Sequence, residues 1–194
     1  MIEQAMEASP RFKARITGVV YLLYFLTAIF AEFLNGRRLV VYSNAANLVA
    51  YAFYLVLTLL FYFMFKPVNR YISFIAALFS LVGCVIGALG LFYPAASHIS
   101  PLVFFGPYCL LIGYLIFRSA FLPRILGVLM VFAGLGWLAF LSPLANYLSA
   151  YIEVLGILAE GSLMLWLIVM GVNNQRWKEQ ADRRMKDVVS HEPI

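Results

Sequence analysis

Six apolar runs occupy most of the chain, at Ile16–Leu34, Ala45–Phe65, Ile72–Tyr93, Leu102–Phe117, Ile125–Leu141 and Leu148–Val172, with only short polar connections between them. A helix needs about 20 predominantly apolar residues to cross a hydrocarbon core of roughly 30 Å, and these runs fall in or near that length class. Of 194 residues, 64% are hydrophobic and 12% charged, with a mean hydropathy of +0.90. That is more apolar surface than one soluble core of this size hides from water, whereas a bilayer accepts it as an exterior. None of the runs alternates with period two, as the strands of a membrane barrel do. The pattern predicts an all-α, polytopic transmembrane helical bundle with six spanning helices. The fourth and fifth runs are short for that task and Pro107 lies inside the fourth, so this hairpin is expected to be kinked, thinned or barely spanning.

Orientation follows from Lys and Arg. Of the 14 such residues, only Arg37 and Arg38 fall outside the connections and termini that a six-span path puts on one side. The positive-inside rule then makes both termini cytoplasmic. The chain divides into a cytoplasmic N-terminal segment at 1–15, a six-helix membrane domain at 16–172 and a cytoplasmic helix extension and tail at 173–194. In that tail Lys178 and Asp182, Glu179 and Arg183, and Asp182 and Lys186 stand four apart, which supports continuation of the sixth helix past Trp177 at the headgroups. The first run is longer than a signal-peptide core and has no clear small-x-small cleavage site, so it reads as a retained helix. The net charge of +5 comes from short clusters, not from a basic face interleaved with aromatics, and nucleic acid is not expected as a partner.

The stretch Gly113-Tyr114-Leu115-Ile116-Phe117-Arg118-Ser119-Ala120-Phe121-Leu122-Pro123-Arg124-Ile125-Leu126-Gly127-Val128-Leu129 resembles a bacterial family of membrane proteins, the domain-of-unknown-function 4386 (DUF4386) family. Arg15 to Leu22, Lys66-Pro67-Val68-Asn69-Arg70 and Trp166 to Asn173 extend the resemblance over most of residues 14–173. Pro107-Tyr108-Cys109 stands where the family pattern has a histidine-containing stretch. The resemblance implies a polytopic fold and a place in the bacterial cytoplasmic membrane. It supplies no catalytic residue.

The functional content lies in the polar residues of the apolar runs. Glu160 falls near the bilayer midplane, where an ionised carboxylate costs about 3 kcal/mol even on the lenient insertion scale, so it should face protein, carry a proton or have a partner. Glu153 lies seven residues earlier on the same helical face, in line with Gly156 and Met164. That separation is too wide for a shared proton and suits a stepwise polar path. Glu32, Asn35, Asn44, Asn47, His98 and Asn146 belong to the same outer half and together form a candidate polar vestibule. Tyr42, Tyr51, Tyr93, Tyr108, Tyr147 and Tyr151 lie at similar depth, as an aromatic belt does. Arg118 and Arg124 flank Ser119 and form a topology anchor that also suits a lipid phosphate. Gly83 and Gly87 read as a small-xxx-small helix contact, and Cys84 and Cys109 as free buried thiols. No HExxH or comparable spacing, GxSxG or glycine-rich phosphate loop occurs, so neither a metal, a cofactor nor a catalytic group is expected.

The leading expectation is a non-enzymatic bundle that binds, or helps move, a small or lipidic molecule through an external-facing polar cavity, with Glu160, Glu153, Glu32, His98 and Asn47 as its candidate groups. The alternative is a structural or accessory subunit, in which Glu160 is packing glue and small-residue faces meet a second copy or another membrane protein. The third is an intramembrane lipid-modifying enzyme that needs His98 beside Glu32 or Glu153. The topology is tested by reporter fusions: Ala96 and Asn146 should report the external side and both termini the cytoplasm. A fusion on the opposite side at any of these positions overturns the six-span path.

Overall fold

In the computed structural model, which describes residues 9–93, 100–143 and 145–190, the apolar runs become helices and the breaks fall at residues that cannot easily continue one. Among the described residues there are seven helices and no strand: α1 (Pro10–Gly36), α2 (Val40–Phe65), α3 (Arg70–Phe92), α4 (Leu102–Arg118), α5 (Arg124–Ala139), α6 (Ala145–Val169) and α7 (Asn174–Ser190). Ser9 caps α1 by accepting from Phe12 N–H at 3.2 Å, with Pro10 at the first helical position, where its missing N–H is not needed. The basic residues Arg11 to Arg15 are therefore part of α1. Asn69 caps α3 through Tyr71 and Ile72 N–H.

Helices α1, α2 and α3 and residues Tyr147–Val169 of α6 are long and apolar enough to cross a membrane. Helices α4 and α5 are apolar but shorter, at 17 and 16 residues, about 26 and 24 Å against a hydrocarbon core of roughly 30 Å. Helix α4 runs on through Pro107. Consecutive helices pack side by side and α6 closes back on α1, so that α1 to α6 form a ring. Its outside is apolar, with Phe30, Phe33, Val41, Leu89, Phe132 and Leu165 exposed, as lipid contact requires.

Small residues set how closely this ring shuts. A Cβ on Gly127 would lie 2.7 Å from the carbonyl oxygen of Gly113, and one on Gly134 would lie 2.8 Å from that of Gly106. Each helix of the α4–α5 hairpin thus carries two glycines seven residues apart on one face, and the backbones meet directly. Between α2 and α3, the buried hydroxyls of Thr58 and Ser80 hydrogen-bond to each other.

The C-terminal segment departs from the expected continuation of the sixth helix. Helix α6 stops at Val169, and Gly171 adopts φ +68° while its N–H returns to the Trp166 carbonyl at 3.0 Å, a left-handed cap that favours glycine. Arg11 and Arg15 donate to the Met170 and Val169 carbonyls at 3.1 and 3.0 Å, satisfying acceptors that a helix end leaves open. Asn173 then caps a separate helix, α7. Its half-buried face carries Asn174, Trp177, Gln180 and Arg184 at helical spacing. Trp177 donates to the Met64 carbonyl at 3.0 Å and Arg184 to that of Val68 at 2.9 Å, while Gln180 bonds both Ala120 N–H and the Arg118 carbonyl. Trp177 is thus an internal strut between α7 and α2 in place of the free headgroup anchor expected.

Gly127→Ala should lower the Tm of the purified protein, because overpacking at a backbone contact costs about 1–3 kcal/mol. Gly161→Ala, where an added Cβ meets nothing within 4 Å, should leave Tm unchanged or slightly raised.

Candidate functional site

Glu160 sits on α6 nine residues before Val169, about 14 Å along the axis, and is only 9% exposed. Its carboxyl accepts a hydrogen bond from the Tyr21 hydroxyl of α1 at 2.7 Å, and the Trp137 indole of α5 stands beside it in the same cavity wall. Both reach it because glycines clear the way. A Cβ on Gly18 would lie 2.7 Å from the backbone nitrogen of Ile168, so glycine there lets α1 close on α6 one turn from Tyr21. A Cβ on Gly156, one turn before Glu160, would lie 2.6 Å from the Trp137 ring. The Tyr21 ring is held in turn by Phe25 at 5.3 Å and Phe61 at 5.9 Å between centroids, within the range of favourable aromatic pairs.

Beside the carboxylate lies a cavity of about 280 Å³, lined by Tyr24, Tyr51, Tyr54, Pro101, Leu102, Phe105, Trp137 and Glu160. Tyr54 meets Tyr24 edge-on at 4.7 Å and Phe105 at 5.2 Å. Gly87 lies directly beneath Tyr51, and Gly83 beneath Phe105. The Gly83–Gly87 pair therefore seats aromatic rings from α2 and α4, where the sequence pattern suggested contact between helix backbones. Among the described residues lining the cavity, Glu160 is the one acidic side chain, and none is basic.

The other expected site residues that the structure describes do not join it. Glu153 is exposed, although its face continues inward through buried Gly156, Glu160 and Met164. Glu32 and Asn35 are exposed too. Asn47 donates to the Ser43 carbonyl at 3.1 Å and Asn44 to that of Leu91 at 3.2 Å, so both amides are engaged with backbone. His98 and the side chain of Asn146 lie outside the described residues. Of the expected aromatic belt, Tyr42, Tyr93, Tyr147 and Tyr151 are exposed, but Tyr51 lines the cavity and Tyr108 is a core residue at 2% exposure. Among the described residues the buried Tyr108 hydroxyl has no hydrogen-bond partner, and no three His, Cys, Asp or Glu side chains converge as metal ligands do. Cys84 and Cys109 are buried and free.

Tyr21, Tyr24, Tyr54, Phe105 and Trp137 are absent from the sequence reading of the site. The available signal was spacing: Tyr21 with Tyr24 and Tyr51 with Tyr54 are pairs three residues apart, each on one helix face. Arg118 and Arg124 meet at a second cavity, of about 310 Å³, bordered also by Phe117, Ser119 and Gln180. The Arg124 guanidinium lies 5.5 Å over the Phe117 ring, and the Ser119 hydroxyl is committed to the Ile116 carbonyl.

Residues 93–171 match the model of the family described as Domain of unknown function (DUF4386), in agreement with the resemblance carried by Gly113 to Leu129. The matched segment contains Phe105, Trp137 and Glu160, while the tyrosines of α1 and α2 lie outside it. A protein of Archaeoglobus fulgidus named "Uncharacterized protein" is 28% identical over 138 residues, 66% of this chain and 76% of that protein. No solved structure matches.

Two tyrosines should respond oppositely to loss of the hydroxyl. Tyr21→Phe removes a donor to a buried carboxylate and should lower stability by about 1–3 kcal/mol. Tyr108→Phe removes an unpaired buried hydroxyl at constant shape and should be neutral or stabilising. Thermal unfolding of both variants in one detergent decides the comparison.

Proposed function

We propose that this chain, a multi-pass helical membrane protein carrying a DUF4386 segment, is non-enzymatic and binds, or helps move, a small or lipidic molecule in the cavity beside Glu160. The observation that carries the reading is a buried carboxylate bordering open volume in place of a sealed helix contact. Structural glue alone needs no cavity. The volume lies just below the roughly 300–1,000 Å³ of ligand pockets, and its mostly apolar wall with one directed polar group fits their composition.

The proposed setting is the bacterial cytoplasmic membrane, with six spans and both termini inside. The short α4 and α5 then cross by local thinning of the bilayer or support from their neighbours. In that orientation Pro101 and Leu102, at the start of α4, border the cavity on its outer side, away from the Lys/Arg-rich end. The Tyr21 hydrogen bond favours a second reading, an accessory subunit in which Glu160 ties α1 to α6.

Native mass spectrometry after mild extraction separates the two. The ligand reading expects a small-molecule mass increment on wild type, with occupancy reduced about tenfold in Glu160→Gln while that variant stays monodisperse. Absence of any increment, together with a co-eluting second protein, supports the accessory reading.

A further inference from the structure

The wall of the Glu160 cavity specifies the charge of what it holds. We infer that its occupant is an alkylated organic cation, a tertiary or quaternary ammonium of about choline size; the inference rests on the cavity being a ligand site and adds the class of ligand. Tyr24 of α1, Tyr51 and Tyr54 of α2, Phe105 of α4 and Trp137 of α5 bring five aromatic rings to one volume, with the Glu160 carboxylate in the same wall. Aromatic faces attract a cation within about 6 Å of their centroids. They offer a neutral molecule only dispersion and an anion nothing.

Charge balance points the same way. No Lys or Arg is among the described residues lining the cavity, so none of them pairs with the acid, and a cation in the cavity would. An anionic guest would bring a negative charge beside an acid in a site of low dielectric.

The degree of alkylation follows from how much of the wall is ring surface and how little of it accepts hydrogen bonds. A primary ammonium brings three N–H donors, while the acceptors in this wall are confined to the Glu160 carboxyl, which already takes the Tyr21 hydroxyl, and the hydroxyl tips of Tyr24, Tyr51 and Tyr54, the rest of the lining being ring face and aliphatic surface. An ammonium donor left unpaired in such a wall loses its hydration without replacement. A quaternary nitrogen has no donor to satisfy, and its methyl groups spread the charge over a surface that packs on rings. The volume of about 280 Å³ limits the occupant to a small cation or to the headgroup of a larger amphiphile.

The test is equilibrium binding of choline and tetramethylammonium to the full chain in phosphatidylglycerol nanodiscs, with empty nanodiscs as the blank and 3,3-dimethylbutan-1-ol as the neutral isostere of choline. Saturable binding of both cations is expected, about tenfold tighter than the isostere and about tenfold weakened by Glu160→Gln. Tyr51→Leu should weaken choline binding by about tenfold while Tyr51→Phe stays within about threefold, which keeps the test decisive if Glu160→Gln does not fold. Displacement of choline by phosphatidylcholine added to the bilayer assigns a lipid headgroup; retention of choline assigns a free molecule. Equal binding of the neutral isostere overturns the cation inference and leaves the ligand site standing. No binding of either cation to folded wild type also overturns it, and the mass increment on the extracted protein then decides separately whether the cavity holds a ligand at all.

Discussion

A carboxyl group in the middle of an apolar helix has to be held by other side chains, and closure of α6 onto α1 brings one of them. Glu160 lies in a helix whose own backbone bonds are already paired, so nothing local satisfies it. Tyr21 arrives because Gly18 lets α1 approach the backbone of α6, and Trp137 arrives because Gly156 leaves room for an indole. Helices distant in sequence thus converge on one group. The cavity lies where their aromatic side chains stop short of filling the space beside it.

Glycine serves two different purposes in this ring. In the α4–α5 hairpin, Gly106, Gly113, Gly127 and Gly134 let backbone meet backbone, the close approach that holds helices together when surrounding lipid is as apolar as they are. On α3 and α6, Gly83, Gly87 and Gly156 face Phe105, Tyr51 and Trp137. These glycines provide seats for the cavity wall, and a methyl group at any of them would push a ring out of place. One residue type builds the tight half of the ring and shapes the open half.

The basic end is organised as carefully. Gly171 turns the chain after α6, Arg11 and Arg15 close the carbonyls left open there, and α7 crosses the α2–α3 and α4–α5 connections through Trp177, Gln180 and Arg184. The arginines of this end therefore do more than set orientation. Some are hydrogen-bond donors to helix ends, while Arg118 and Arg124 border a cavity that α7 helps enclose.

Helicity, the apolar exterior and the importance of Glu160 were legible without a fold, because run length, composition and the expense of a buried carboxyl are properties of the chain itself. The family resemblance was legible too, through Gly113 to Leu129. The polar vestibule was not, because depth along a helix says nothing about which way a side chain faces or what covers it: Glu153 and Glu160 share a face, yet one is exposed and the other buried. The end of α6 at Val169 had a local signal in Gly171, which suits a left-handed cap, but the Arg11 and Arg15 donors that meet the exposed carbonyls come from α1, and only the fold brings them there. Run length and composition make this chain a helical membrane bundle with an acid in an apolar helix. That aromatic rings from four other helices surround the acid emerges in the folded chain alone, because packing between helices is set by ring closure and glycine clearance, which no single segment contains.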